Sequence, residues 1–205
     1  MGFQFTTERL AQGMTVQQFE QSMTKNQELF KKNSETAVIR DEDVHFFGHL
    51  PQKVTIVTIA EDWCGDVIAG LPVVQQLAQR AGAPEIVVFL RDQNTDLIDS
   101  YLKEGKYRSI PVFILLDEHL NELGFVIERS PKATAGLVEA AKAALQSDPS
   151  FAPEGTSAFE FDKMSDEGKK AVSAALTQAR AEHGSEWNQE LINEFREIIQ
   201  KGLHS

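Results

Sequence analysis

The chain has 205 residues, of which 41% are hydrophobic and 25% are charged, and this is the composition of a globular protein with a core of moderate size. The formal net charge of −11 disfavours nucleic acids and anionic membranes as partners. A single cysteine excludes an intramolecular disulfide, and no basic segment followed by an apolar one marks a signal peptide, so we expect a cytoplasmic protein.

The first fifty residues are predicted to form a helical extension. Residues 1–13 are expected to be a mobile or loosely docked lead-in. Thr15 and Gln18 then have the spacing of a capping box, and apolar positions spaced as on one helix face predict a single amphipathic helix to about Lys32. Residues 41–50 begin with three acids and predict a second, short helical segment packed on the core.

The chain then passes from a buried strand into a helix, with Cys64 in the turn between them. Residues 54–60 are mostly β-branched and follow Pro51, which predicts the strand. From Gly65 onward the apolar residues recur at spacings of three and four positions, which predicts the helix. A thiolate at a helix N-terminus meets the positive end of the helix dipole and can accept a backbone hydrogen bond, and both effects lower a cysteine pKa.

Three carboxylates flank this cysteine in the sequence, those of Glu61, Asp62 and Asp66. Negative charge near a thiol disfavours the thiolate and opposes the effect of the helix. We expect solvent to screen the three carboxylates, so both a reactive and an inert Cys64 remain open.

The rest of the chain alternates strands and helices and ends in helices. Strands are predicted over residues 85–90, 112–116 and 123–128. Helices are predicted from Asn94 to Gly105 and from Ser130 to the Asp148-Pro149 stop. A connector over 149–164 is followed by two more predicted helices, capped by Ser165 and Ser185 and separated at Gly184.

Two short motifs carry a family resemblance. Trp63-Cys64-Gly65 matches the start of a Trp-Cys-x-x-Cys signature, Pro72 falls where a helix-kinking proline is expected, and Ser109-Ile110-Pro111 matches a second signature, a cis-proline opposite the cysteine. On these residues the chain resembles the thioredoxin superfamily. The string Glu-Asp-Trp-Cys-Gly-Asp at 61–66 is similar to that of little-characterised bacterial thioredoxin-like proteins.

The resemblance implies an α/β, thioredoxin-like fold in which helices flank a central mixed sheet, with helical N- and C-terminal extensions. It divides the chain into an N-terminal helical extension at 1–50, a thioredoxin-like core at 51–148, and a connector with a C-terminal helical hairpin at 149–205. That hairpin is expected to fold back on the core or to contact a second copy, which would give a homodimer.

Two positions depart from the family pattern. Val67 stands where the second cysteine of the signature would be, and Thr58 stands where thioredoxins carry a buried acid. Because valine cannot attack a mixed disulfide, catalytic turnover would need an external resolving thiol such as glutathione.

Two functions of different classes are therefore predicted. The first is an atypical monothiol protein in which Cys64 exchanges disulfides with a protein or a low-molecular-weight thiol. The alternative is a non-catalytic thioredoxin-fold module that holds a peptide or protein partner. The residues expected to contact substrate or partner are Trp63, Gly65, Asp66, Ile110 and Pro111.

No cofactor or metal is predicted. His45 and His49 lie four residues apart and could share a helix face, but they have no cysteine or clear carboxylate partner.

Overall fold

The computed structural model describes residues 3–157 and 159–203. Short 3₁₀ turns lie at Arg91–Gln93 and Phe161–Lys163. In chain order the helices and strands are α1 (Thr7–Leu10), α2 (Val16–Ser22), α3 (Gln27–Glu35), α4 (Asp41–Gly48), β1 (Thr55–Ala60), α5 (Gly65–Ala81), β2 (Glu85–Leu90), α6 (Thr95–Ile98), β3 (Val112–Leu116), β4 (Glu122–Ile127), α7 (Pro131–Gln146) and α8 (Asp166–Leu203).

The four strands form one mixed sheet in the order β2-β1-β3-β4. Strand β1 pairs with β2 in parallel and with β3 in antiparallel fashion, and β4 pairs antiparallel with β3. All residues of β1 and β3 are buried, as expected for central strands with both faces covered. The α/β fold with a central mixed sheet flanked by helices is confirmed.

The chain divides into two compact units. One comprises the residues up to Arg129 together with those from Asn188 onward, and the other comprises Ser130–Trp187. The first unit holds the sheet and its large hydrophobic core, to which Leu191, Ile192 and Phe195 of α8 contribute. In the second unit, α7 and the first part of α8 share a smaller core around Leu137, Val172 and Trp187.

The N-terminal layer, α2 to α4, contains a break that the sequence pattern does not predict. The capping box of Thr15 and Gln18 is confirmed. The single helix expected to about Lys32 is wrong, however, because α2 ends at Ser22 and α3 begins only at Gln27. Helical propagation ends at Met23, whose backbone is extended (φ −62°, ψ 132°), and Asn26 just before α3 has a left-handed backbone (φ 58°).

The lead-in that was expected to be loose is docked over its described part. Phe5 is buried in the main core, and the backbones of Met14 and Val88 exchange two hydrogen bonds of 2.8 and 2.7 Å. This short bridge covers part of the outer edge of β2, which would otherwise present unpaired backbone groups.

The predicted C-terminal helical hairpin is also wrong. The cap at Ser165 is confirmed, since its Oγ accepts the Gly168 N–H at 3.1 Å, but α8 then runs unbroken for 38 residues through Gly184 and Ser185. A glycine inside a helix costs only about 1 kcal/mol. Burying the apolar side chains on both sides of it stabilises the helix by more than that, because each one contributes about 1.5–3 kcal/mol.

None of the described helices, including α8, is both long enough and apolar enough to cross a membrane.

Candidate active site

Cys64 lies at the turn between β1 and α5, as predicted. It is the N-cap residue of α5 and is half-buried. Its backbone is held at both ends, since its N–H donates to the Glu61 carbonyl (3.2 Å) and its carbonyl accepts the Ile68 N–H (3.1 Å). The thiol is thus fixed beside the first backbone N–H groups of α5, which have no partner within the helix.

The structure brings the two sequence motifs together. The Cys64 thiol donates to the Ile110 carbonyl, with 3.4 Å between Sγ and oxygen. The Ile110–Pro111 peptide bond is cis, and both residues are buried at the start of β3. The Ile110 carbonyl is therefore occupied by the thiol itself.

Behind Cys64 the departures from the family pattern are both buried. Val67, in the first turn of α5, is fully buried in the main core. Thr58 is also fully buried in β1, next to Val88 and Phe113 in the sheet. Its hydroxyl has no hydrogen-bond partner within the described residues. The site therefore offers neither a second thiol nor a buried carboxylate at these two positions.

Trp63 stands on the outer side of the site and is 43% exposed. The guanidinium of Arg91 lies 4.7 Å from the centre of its ring, a cation–π contact. Arg91 also donates to the Arg108 carbonyl (3.3 Å), just before the segment that leads into Ile110. Arg91 therefore links the loop of Cys64 to the loop of the cis-proline, a connection that no sequence pattern indicated.

Asp66 and Gly65 occupy different surroundings. Gly65 opens α5 and is exposed beside Cys64, as its sequence position predicts. Asp66 is mostly buried and forms an ion pair with Arg129, which also approaches Glu128 (3.5 Å). The carboxylate expected to contact substrate is thus engaged within the protein.

The other two flanking acids accept hydrogen bonds from the protein but remain partly exposed, so the expectation that solvent screens all three carboxylates is wrong for Asp66 alone, whose side chain is mostly buried. Glu61 accepts the Asp92 N–H at 2.9 Å, and burial raises the pKa of its carboxyl. One oxygen of Asp62 accepts three hydrogen bonds, from Thr24 N (2.7 Å), Thr24 Oγ1 (3.0 Å) and Lys25 N (3.0 Å). Partial burial raises the pKa of Asp62, but these bonds together outweigh it and leave the pKa below its ordinary value.

The helix that carries Cys64 receives a further polar contact from the N-terminal layer. Pro72 has no backbone N–H, so the Ile68 carbonyl lacks its usual partner four residues later. The side-chain amide of Asn33 in α3 donates to that carbonyl at 2.8 Å. The kink proline was visible in the sequence, but the residue that compensates for it was not.

Among the described residues, no group of three or more His, Cys, Asp and Glu side chains could hold a metal ion. His45 and His49 stack with ring centres 4.3 Å apart, and His49 Nδ1 lies 2.8 Å from the His45 carbonyl oxygen.

Comparison with known proteins places the fold. A family model described as Thioredoxin matches residues 13–142, from just before α2 into α7. An HIV epitope-scaffold crystal structure is similar at a TM-score of 0.59 with 16% identity, covering 96% of this chain and 98% of that one. A Pseudomonas aeruginosa protein of unknown function is similar at a TM-score of 0.58 with 17% identity, covering 84% and 95%. Among curated proteins there is no match.

Proposed function

This chain belongs to the thioredoxin family, and from that premise we propose that it exchanges disulfides through Cys64 as a monothiol protein. One observation carries the proposal: the half-buried thiol caps α5 and lies 3.4 Å from the Ile110 carbonyl, next to the cis-proline, while the resolving position is the buried Val67. A thiol at a helix N-terminus is activated as a nucleophile by the partial positive charge there.

The exchange has two balanced steps. The Cys64 thiolate attacks a disulfide R–S–S–R′, forming Cys64–S–S–R and releasing R′–S⁻. An external thiolate R″–S⁻ then attacks the R sulfur of the mixed disulfide, which forms the disulfide R–S–S–R″ and releases the Cys64 thiolate. The substrate disulfide belongs to a protein or to a small thiol.

Ionisation of the thiol also prepares the neighbouring backbone. The neutral thiol donates to the Ile110 carbonyl, and that donor is lost when the proton leaves. The Ile110 carbonyl then accepts a backbone N–H of an extended substrate lying beside the thiolate, as one bond of strand addition. Activation of the nucleophile and release of the binding group are thus the same event.

The test is adduct formation and turnover. Wild-type protein incubated with glutathione disulfide should gain the mass of one glutathionyl group, and Cys64→Ser should gain none. In a thioredoxin-reductase assay, wild type should reduce insulin very slowly until glutathione is added. Either no adduct on wild type or rapid turnover without a small thiol would refute the proposal.

A second candidate, a non-catalytic binding module, is favoured by the exposed Trp63 ring fixed by Arg91. An exposed aromatic side chain held in place can act as an anchor for a partner. In this case Cys64→Ser would bind the same peptides as wild type, and Trp63→Ala would not.

A further inference from the structure

The N-terminal layer reaches the loop that carries Cys64 through the turn at 23–26. Four hydrogen bonds connect this turn to Asp62, two residues before the cysteine. Three end on its carboxylate, from Thr24 and Lys25, and the fourth runs from the Asn26 side-chain amide to the Asp62 carbonyl at 2.8 Å. Both the side chain and the backbone of Asp62 are therefore held by residues that lie 36 to 38 positions earlier in the sequence.

The turn has the shape that these bonds require. Asn26 adopts a left-handed backbone (φ 58°), a conformation that asparagine tolerates better than most residues. The turn leaves the Thr24 and Lys25 N–H groups outside both helices, where the Asp62 carboxylate accepts them. Because the carboxylate accepts three donors at 2.7–3.0 Å, this contact is stronger than a single neutral hydrogen bond.

The same layer also holds the helix on the other side of the cysteine. Asn33 of α3 donates to the Ile68 carbonyl, which is the group that accepts nothing from Pro72. Cys64 therefore lies between two attachment points, Asp62 and Ile68, both made to residues 24–33. Phe19 and Phe30 fix the two helices against each other, with ring centres 6.0 Å apart.

We propose that Asp62 is a positioning residue that fastens the Cys64 loop to the turn at 23–26, making the N-terminal layer part of the thiol site. The proposal deepens the proposed function, on which it rests. With the loop fastened, Sγ is held against the Ile110 carbonyl, in line for a substrate that pairs with Ile110. With the loop released, the thiol is more accessible but no longer aligned.

Three variants separate the roles of Asp62. Asp62→Ala removes the acceptor and the charge, whereas Asp62→Asn removes the charge but keeps an oxygen that can accept the same bonds. Asn26→Gly removes the bond to the Asp62 carbonyl while permitting the left-handed backbone.

Asp117 provides a matched control. Its carboxylate also accepts three hydrogen bonds, from His119 N, Asn121 N and Asn121 Nδ2, at 2.7–2.9 Å. It lies in the turn after β3, at the end of that strand away from Ile110. Asp117→Ala thus removes an equivalent set of bonds far from the thiol.

Three measurements are made on each protein: hydrogen exchange of residues 61–65, the alkylation rate of Cys64 with iodoacetamide, and the exchange rate with a disulfide-bonded peptide. In Asp62→Ala, hydrogen exchange and alkylation should be faster than in Asp62→Asn. Its disulfide exchange should be slower by about tenfold or more, since small misplacement of a reacting group is costly. Asn26→Gly should lie between them, and Asp117→Ala should match wild type.

The results distinguish the two claims. If wild type exchanges no disulfide, the proposed function fails, while hydrogen exchange and alkylation still decide whether Asp62 positions the thiol. If Asp62→Ala behaves like Asp117→Ala or like Asp62→Asn in all measurements, the positioning role is refuted. Faster hydrogen exchange with unchanged disulfide exchange and alkylation would also refute it, because the hydrogen bonds to Asp62 would then stabilise the loop without positioning the thiol.

Discussion

At the scale of single residues, each acid that flanks Cys64 has a partner within the protein. Glu61 accepts a backbone N–H, Asp62 accepts three donors, and Asp66 pairs with Arg129. Arg91 and Arg129 bring two positive charges into the same region. Because Arg91 also pairs with Asp92 and Arg129 also approaches Glu128, the negative charge around Cys64 is offset only in part, which lessens but does not remove its opposition to a thiolate.

Val67→Cys should convert the site to a dithiol. The substitution lies three residues after Cys64 in the first turn of α5, the spacing at which the second cysteine of the family signature closes a disulfide. Val67 is fully buried, so the loss of apolar volume should lower the free energy of unfolding by about 1 kcal/mol. Mild oxidation should join the two thiols, as measured by thiol titration, and insulin reduction should no longer need glutathione.

Cys64→Ser combined with Val67→Cys is the control, since it carries one thiol at the buried position and should reduce nothing. A disulfide that forms without any gain in insulin reduction would favour the binding-module function. Failure to form the disulfide would show that position 67 does not face Cys64 as the family pattern implies.

The stability contributed by Asp62 should depend on pH. Its pKa is lowered in the folded protein, so the contribution is fully present above the ordinary pKa of an aspartate and is lost as pH falls through the lower, folded value. The difference in free energy of unfolding between wild type and Asp62→Asn should therefore shrink on acidification. Urea unfolding across this range measures it, and a difference that grew towards acid pH would contradict the assignment.

At the scale of elements, the N-terminal layer compensates for the proline in α5. Asn33→Ala should leave the Ile68 carbonyl without a partner and destabilise the protein by about 1–3 kcal/mol. Pro72→Ala restores an N–H four residues after Ile68, so Asn33→Ala should cost less in that background. A double-mutant cycle by urea unfolding tests this, and strictly additive effects would show that the two residues do not serve the same carbonyl.

The elements that sequence predicts best are those whose cause is local. Strand β1 follows from a run of β-branched residues, helix α5 follows from apolar periodicity, and the capping box of Thr15 is a pattern of four residues. The end of α2 was missed because the acceptor that draws Thr24 and Lys25 out of the helix is Asp62, far along the chain. A local pattern contains no sign of that acceptor.

The site shows the same division. Cys64 and Ile110 could be placed together because family motifs mark both, and their 3.4 Å contact confirms it. The roles of Asn26 and Arg91 could not be predicted, since asparagine in a turn and arginine on a surface are ordinary features of any sequence. Their meaning depends on which loop the fold brings beside them.

At the scale of the whole molecule, the predicted C-terminal helical hairpin is wrong because buried apolar residues continue beyond Gly184. Gly184-Ser185 has the local signal of a helix end followed by a cap. The residues beyond it, Leu191, Phe195 and Ile199, are buried in the main core together with the strands. Since Phe195 packs on Phe113 of β3 with ring centres 5.4 Å apart, the end of α8 belongs to the same unit as the sheet.

A buried ion pair joins this end of α8 to the N-terminal layer. Asp43 of α4 is fully buried and accepts from Arg196 (2.7 Å) and Gln189 (2.8 Å), and the Arg196 guanidinium also covers the ring of Phe46. Two segments outside the thioredoxin-like core that the sequence predicted are thus linked to each other. Removing one partner would leave a carboxylate in the interior without its counter-charge, which is strongly unfavourable.

Arg196→Met should therefore lower the free energy of unfolding by about 3–5 kcal/mol, measured by urea denaturation. The exposed pair of Lys53 and Glu85 has the same 2.7 Å separation, so Lys53→Ala should cost no more than about 1 kcal/mol. Asp43→Asn in the Arg196→Met background should recover much of the loss, because asparagine removes the buried charge and can still pair with Gln189. If Arg196→Met costs no more than Lys53→Ala, the burial of Asp43 does not make this pair important for stability, and the ion pair does not hold α8 to the N-terminal layer.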